Sequence, residues 1–280
     1  MGQTNLLGRY PFHWHDLDNG CDDCYFTANS IHKSFYRCIS IHGTHNTTVS
    51  ENVGYDVSGY CYYFEDGNEE DNTISFNLAA HINSPSNVIA NGDGTQTIDV
   101  FSQSVDLILP ADSTASGFYI SNLHNDIIGN AASGGWAGFS LPIFHSPVGI
   151  HRDLNMRPGN RLTKTFDGNT AHSTGWWWSH AGAFYSGGSL YYSDANSTLL
   201  EYNAGRDQDH GNRQPCLVDK CVTENNCASH CYQGEERAWF ELTNNKVFLT
   251  PSSGLNSVSH TLVMYLSLLR ISSNCFLLTP

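Results

Sequence analysis

Short apolar runs alternate with polar residues along most of this chain, and Asn, Gly or Asp ends nearly every run. "CISIHGT", "TTVSENVGY", "GYCYYFE", "NTISFNLA", "QTIDVFS", "VDLILP", "GFYISNL", "GSLYYSD" and "STLLEYN" each read as one short strand and its turn. No stretch holds the period of a long amphipathic helix. Many short strands at similar spacing mean a sandwich, a barrel or a solenoid. An internal offset favours the solenoid. Cys38 and Cys61 lie 23 positions apart, and the same offset maps Ile39 to Tyr62, Ile41 to Phe64 and His42 to Glu65. A coil of that length suits a parallel β-helix, whose rungs stack about 4.8 Å apart. Asn52, Asn77, Asn122 and Asn130 recur just after apolar runs. In a β-helix, turn asparagines stack rung upon rung and satisfy backbone groups at the corner. Cys38 and Cys61, if in register, come within disulfide reach; a ladder of free thiols is the equal alternative.

The segment "GRYPFHWH" at 8–15 sharpens this pattern. In a strand, alternate side chains share a face. Phe12 and Trp14 then point inward or under a covering loop, while Arg9, His13 and His15 face a polar surface.

Composition narrows the function. The 280 residues are 40% hydrophobic and 12% aromatic, enough for a core, but only 14% charged. Net charge is −14, and no Lys or Arg occurs between Arg37 and Arg152, which argues against a nucleic-acid partner. A polyanionic substrate needs local help from Arg, His or a bound cation. The one dense basic stretch, "HRDLNMRPGNRLTK" with Arg152, Arg157, Arg161 and Lys164, reads equally well as a solvated loop. Nine cysteines and two sequons, at Asn46 and Asn196, favour an oxidising, extracellular setting. Cys216, Cys221, Cys227 and Cys231 crowd into a polar loop and are expected as disulfides, although Cys227 and Cys231 with His210 or His230 also suit zinc. "LVMYLSLL" is too short to span a bilayer. The chain opens without a charged, apolar leader, so a secreted parent implies that this is a fragment.

Three blocks then combine: "GRYPFHWH"; "SIHKSFYRCISIHGTHNTTVSENVGYDVSGYCYYFEDGNEEDN"; and, further on, "FYISNLHNDIIGNAASGGWAGF" with "FDGNTAHSTG". Their order and motifs, GRYPxHxH, SIHxSFxRCxxxHGT and GxCxxxEDGxE, resemble the β-helical region of one family of G8-domain-containing proteins. It contains the cell-migration-inducing hyaluronan-binding protein, transmembrane protein 2 and fibrocystin-L. The resemblance covers about residues 5–250. It implies an all-β, right-handed parallel β-helix on a secreted or membrane-tethered protein. It also implies two roles: calcium-dependent hyaluronan depolymerisation, as in some relatives, or a surface protein without enzymatic activity. The G8 module that usually precedes GRYPxHxH is not in this chain. The expected organisation is a β-helix over 1–250, with a Cys-rich excursion at about 207–237, and a divergent tail over 251–280.

Candidate chemistry follows residue by residue. His13 and His15, with His32 or His42, can hold a divalent metal, pair with carboxylates, or handle a sugar beside Arg9. Glycosidic hydrolysis uses two carboxyls flanking the bond, and Glu65 or Asp66 with Asp56 of the preceding coil is the expected pair. A lyase route, in which calcium acidifies the proton of a uronate, is the other option. Glu69, Glu70 and Asp71 read as a solvated acidic turn. In "HDLDNGCDD", Asp16, Asp18 and Asp22 suit Ca²⁺, against a tight turn closed by Cys21 and Cys24. Trp176 and Trp178 share one strand face and offer a stacking platform for sugar rings. The expected functional strip is Arg9, His13, His15, His42, Asp56, Glu65 and Asp66, with Arg37 also expected to contact substrate. The expected partner is an extracellular polysaccharide, bound and cut or merely adhered to; a bare structural stalk is the third option.

Overall fold

The computed structural model describes residues 10–35, 37–83, 89–90, 96–97, 115–135, 137–174, 183–186, 189–192, 200–203, 240–243, 246–248, 255–257, 269–272 and 275–276. Three strands make each rung. The first rung is β1 (Phe12–Asp18), β2 (Tyr25–Thr27) and β3 (Ser30–His32). The second is β4 (Ile39–Thr44), β5 (Thr48–Ser50) and β6 (Val53–Ser58), and the third β7 (Tyr62–Phe64), β8 (Thr73–Ser75) and β9 (Leu78–Asn83). A small antiparallel hairpin, β10 (Ile89–Ala90) and β11 (Gln96–Thr97), follows. The fourth rung is β12 (Ser116–Tyr119), β13 (Asp126–Ile128) and β14 (Ala131–Gly134); the fifth is β15 (Ala137–Leu141), β16 (Thr165–Asp167) and β17 (Thr170–His172). β18 (Phe184–Ser186), a second hairpin of β19 (Ser189–Tyr192) and β20 (Leu200–Asn203), then β21 (Phe240–Thr243) and β22 (Lys246–Phe248) complete the sixth. β23 (Leu255–Ser257), β24 (Leu269–Ser272) and β25 (Cys275–Phe276) make a seventh. The result is a parallel β-helix of three seven-stranded sheets, to which β23, β24 and β25 contribute one strand each.

The core explains the alternation. On the first sheet Ile39, Tyr62, Phe118, Phe139 and Phe184 stand in register and point inward. The four rings stack with centroids 4.5, 4.6 and 4.9 Å apart. Burying each such ring stabilises by about 2–3 kcal/mol. The third sheet turns in the small Ala79, Ala132 and Ala171, together with Val57 and Ile82. The second sheet supplies Val49, Ile74, Ile127 and Phe166.

At the corner between second and third sheets runs a ladder of Asn29, Asn52, Asn77, Asn130 and Asn169. Each side-chain oxygen accepts the backbone N–H of the Asn one rung before it, at 3.0 Å throughout. The steps are 23, 25, 53 and 39 residues, because excursions after β9 and β15 break the period. Asn122 is not a rung. Its oxygen accepts the His124 N–H, and its amide donates to Gly67 O and Glu70 Oε1. Cys38 and Cys61 form a disulfide between adjacent rungs, and Cys21 and Cys24 close the turn after β1. The alternative of free thiols therefore falls for Cys38 and Cys61. Cys216, Cys221, Cys227 and Cys231 lie outside the described residues.

Candidate functional site

The polar face of "GRYPFHWH" is where side chains converge. Trp14 is buried in the core and Phe12 packs against it, so period two turns His13 and His15 outward. Parallel pairing sets His13 opposite Ser40 and His15 opposite His42. Glu65 and Asp66 follow β7 directly, on the next rung. The ladder between β1 and β4 bulges between His15 and Asp18, and Asp16 takes a left-handed φ of 52°. Aspartate tolerates that conformation better than most residues. The bulge brings Asp16 beside the histidines.

A seventh member arrives from far away. Residues 142–164, between β15 and β16, fold back over the outer face of the first sheet. Phe144 is fully buried and meets Tyr119 edge-on, and the Val148 N–H donates to Asp66 O at 2.9 Å. Arg161 grips Glu70 with Nε and Nη2, at 2.5 and 2.7 Å. Lys164 Nζ reaches Asp71 at 3.2 Å and Asp126 at 3.1 Å. The basic stretch, half of it at least, is thus a strap pinned to the acidic turn rather than a free loop. The short 3₁₀ turn Gly149–His151 of this strap delivers His151.

The resulting network is dense. Asp66 Oδ2 lies 2.8 Å from His151 Nδ1 and 3.1 Å from His42 Nε2. His42 Nδ1 is 2.9 Å from His15 Nδ1, and His15 Nε2 is 3.2 Å from Asp16 Oδ2. Ser40 Oγ donates to Glu65 Oε2 at 2.7 Å, and that oxygen stands 3.9 Å from both His13 Nε2 and His42 Nδ1. Asp66 is almost fully buried, whereas the His15 side chain is 61% exposed and opens the cluster to solvent. Burial alone lowers the His42 pKa, but the hydrogen bond to Asp66 and the charges of Glu65, Asp66 and Asp16 outweigh it and hold His42 at about 9. Burial pushes the Glu65 carboxyl up, helped by Asp66 and opposed by His42, Ser40 and Arg37.

Two glycines let the strap and bulge come this close. A Cβ on Gly43, at φ +52°, would sit 2.4 Å from His151 Cε1 and 2.5 Å from Asp16 Oδ1. A Cβ on Gly149 would sit 2.5 Å from Asp66 Oδ1.

Several expected members are elsewhere. Asp56 lies on β6 of the third sheet, where Oδ1 meets His81 Nδ1 at 3.5 Å and Asn83 Nδ2 at 3.4 Å. It forms no pair with Glu65 or Asp66, because the coil has turned a corner between them. Arg37 is fully buried, its guanidinium 4.1 Å from the centre of the Tyr63 ring and 5.0 Å from that of Tyr60, so it is a core cation rather than a surface contact for substrate. Glu69 is likewise buried, its carboxylate accepting the N–H groups of Gly43, Asp66 and Gly67, not part of a solvated turn. His32 is on β3 of the third sheet. Asn46 is half-buried at the turn before β5, its Nδ2 3.5 Å from Asn19 Oδ1. Arg9, Trp176, Trp178 and Asn196 lie outside the described residues.

The calcium set also separates. Asp16 turns to the imidazoles, Asp18 lies 3.4 Å from His45 Nε2, and Asp22 is exposed in the turn closed by Cys21–Cys24. Two groups of three ligand atoms do converge within 4.8 Å among the described residues: His13, His15 and His42; and Asp16, His42 and His151. Calcium takes about six to eight oxygens. A donor set of imidazoles with one carboxylate does not fit it.

A family model described as the CEMIP β-helix matches residues 1–177, which include all seven members of this cluster. The chain belongs to the CEMIP β-helix family. Protein rliB of Dictyostelium discoideum is 43% identical over 250 residues, which are 89% of this chain and 21% of rliB. A G8 domain-containing protein of the same organism is 46% identical over 206 residues, 74% of this chain and 14% of that protein. Mouse fibrocystin-L is 35% identical over 176 residues, 62% of this chain and 4% of its own length. This CEMIP-type β-helix thus spans about a fifth or less of each of these relatives. No helix among the described residues is long and apolar enough to cross a membrane.

Proposed function

We propose that this chain is the polysaccharide-handling β-helix of a secreted or cell-surface protein, and that the outer face of the first sheet binds a glycan and cuts it. The observation that carries this reading is the convergence of His13, His15, His42, His151, Asp16, Glu65 and Asp66 from three rungs and the strap. Two cystine bridges and the kinship with fibrocystin-L favour an oxidising, extracellular setting. The protein is acidic overall, so a uronate polymer needs local positive charge, which these four imidazoles can supply. In this reading Glu65 gives its proton to the glycosidic oxygen, with Ser40 orienting it. His13 stands beside Glu65 to steady a sugar hydroxyl or carboxylate. Asp66, held between His42 and His151, takes the proton from water or from the sugar.

The test is incubation of the chain, and of its longer parent, with fluorescent hyaluronan, chondroitin and a neutral glucan. Chain length is read by size-exclusion chromatography. Shortening that disappears in Glu65→Gln supports the reading; unchanged length in every glycan removes the cutting step. A second reading, adhesion without cleavage, draws on the exposed rings of Tyr25, Tyr55 and Phe76 on the other two sheets and their turns. Glycan-array binding that survives Glu65→Gln and is lost in Tyr55→Ala favours it.

A further inference from the structure

The hydrogen-bond network around Asp66 supports one set of histidine tautomers in which three lone pairs face one another. We propose that Asp16 Oδ1, His42 Nε2 and His151 Nε2 bind a single divalent transition metal of the zinc class, and not calcium. The inference deepens the site described above and rests on that reading only for the use the protein makes of the ion.

His151 donates Nδ1–H to Asp66 Oδ2 at 2.8 Å, which leaves Nε2 as its acceptor atom. With a metal bound, His42 donates Nδ1–H to His15 Nδ1 at 2.9 Å, which frees Nε2, the nitrogen that otherwise meets Asp66 Oδ2. His15 then carries its proton on Nε2 and donates to Asp16 Oδ2 at 3.2 Å. Each ring is thereby oriented by the nitrogen it does not offer, the arrangement that fixes metal-binding histidines. Asp16 Oδ1 is shielded from solvent and has no hydrogen-bond partner. Its nearest nitrogens are His42 Nε2 at 3.6 Å and His151 Nε2 at 3.9 Å. Those separations are too long for hydrogen bonds. They are close to the edge of a tetrahedron around zinc, about 3.3–3.5 Å for bonds of about 2.0–2.2 Å. Without the ion, His42 Nε2 carries a proton and donates to Asp66 Oδ2 at 3.1 Å. A proton on His42 Nε2 is the competitor that the metal displaces.

The other convergent group, His13, His15 and His42, is a weaker candidate. Its His15 and His42 nitrogens already share a proton at 2.9 Å. Donor chemistry selects the metal: two imidazoles and one carboxylate suit zinc, cobalt, nickel or iron(II), whereas calcium and magnesium want oxygen. The strap is the device that completes the site. Without His151 only one imidazole and one carboxylate of this group remain, and Gly43 and Gly149 hold open the approach that His151 needs.

The experiment uses the whole chain, stripped with chelator and titrated with Co²⁺, Zn²⁺ and Ca²⁺. Stoichiometry is read by elemental analysis and Co²⁺ geometry by its visible absorption. One Co²⁺ per chain in a low-symmetry, intensely absorbing site is expected, displaced by Zn²⁺ and not by Ca²⁺. His151→Ala should weaken binding at least about 100-fold, and Asp66→Asn about 10–100-fold through the lost orienting bond. His172→Ala, on the third sheet, should leave binding unchanged. Circular dichroism of each variant separates lost ligation from lost folding, and His151→Gln serves if the alanine variant unfolds. Absence of stoichiometric Co²⁺, binding indifferent to His151, or displacement by Ca²⁺ overturns the proposal. Because no glycan enters the titration, metal binding without depolymerisation would sink the polysaccharide reading alone. EDTA-insensitive depolymerisation without metal binding would sink the metal alone.

Discussion

Replacing Asn77 by Ala removes one rung of the asparagine ladder at its most buried part. Asn77 Oδ1 accepts the Asn52 backbone N–H and the Asn52 amide, both at 3.0 Å, and Asn77 Nδ2 donates to Val49 O at 2.9 Å and Asn130 Oδ1 at 3.0 Å. Not all four losses matter. Asn52 Nδ2 keeps Phe26 O, and Asn130 Oδ1 keeps the Asn77 backbone N–H. Val49 C=O keeps its place in the β5–β8 ladder, but the buried Asn52 N–H loses the partner it has. An orphaned backbone group costs about 1–3 kcal/mol, so the substitution should cost about 2 kcal/mol. Asn29→Ala is the matched control. It sits at the exposed end of the same ladder, where water replaces what the side chain gave, and should cost under about 1 kcal/mol. Urea unfolding followed by tryptophan fluorescence measures both, with amide hydrogen exchange at Asn52 as the local probe. A solenoid opens rung by rung, so exchange should accelerate around Asn52 before the global transition moves. If Asn77→Ala and Asn29→Ala cost the same, or exchange at Asn52 is unchanged, corner satisfaction is not what holds the rungs together.

Three further outcomes follow from the same geometry. Reducing the Cys38–Cys61 bridge, or replacing both by Ser, frees a 23-residue loop in the unfolded chain and should cost about 3 kcal/mol; a urea midpoint indifferent to reductant refutes this. Arg161→Ala breaks the grip on Glu70, a half-exposed pair worth about 1 kcal/mol at most, so the melting temperature should hardly move. Trypsin should nonetheless cut at Arg152 or Arg157 several-fold faster, and an unchanged cleavage rate would mean the strap is held without that pair. Stability should fall as pH rises from about 5 to 9. Burial, with Asp66, pushes Glu69 up to about 7 against three backbone N–H groups, so its protonated form is favoured on folding and that contribution fades between 4.5 and about 7. His42, held at about 9, loses its contribution between 6.5 and about 9. Each shift of about 2.5 units corresponds to about 3 kcal/mol, and Glu69→Gln should flatten the lower half of the curve; stability that climbs over this range contradicts both assignments.

The amino-acid sequence alone settled what depends on neighbours along the chain. Alternation in "PFHWH" put Phe12 and Trp14 inward and His13 and His15 outward, and the structure agrees. The offset between Cys38 and Cys61 aligned Ile39 with Tyr62 and Ile41 with Phe64, where they pair. Asn52, Asn77 and Asn130 were legible as turn residues for the same reason, although Asn122, with the same local look, does another job.

Tertiary structure decided the rest. Asp56 resembles a partner for Glu65 on spacing, but this β-helix turns three corners per rung, and which corner falls where is set by packing. Arg37 looks like a surface cation until Tyr60 and Tyr63 close over it. His151 was invisible as a site residue, since it meets Asp66 across 85 positions through a strap that no period encodes. Strand faces follow from a backbone repeat of two residues, which any short peptide already carries. The meeting of strap and rung follows from Phe144 burial and the Arg161–Glu70 and Lys164–Asp71 pairs, contacts that exist only once the coils have stacked and the chain has folded back over them.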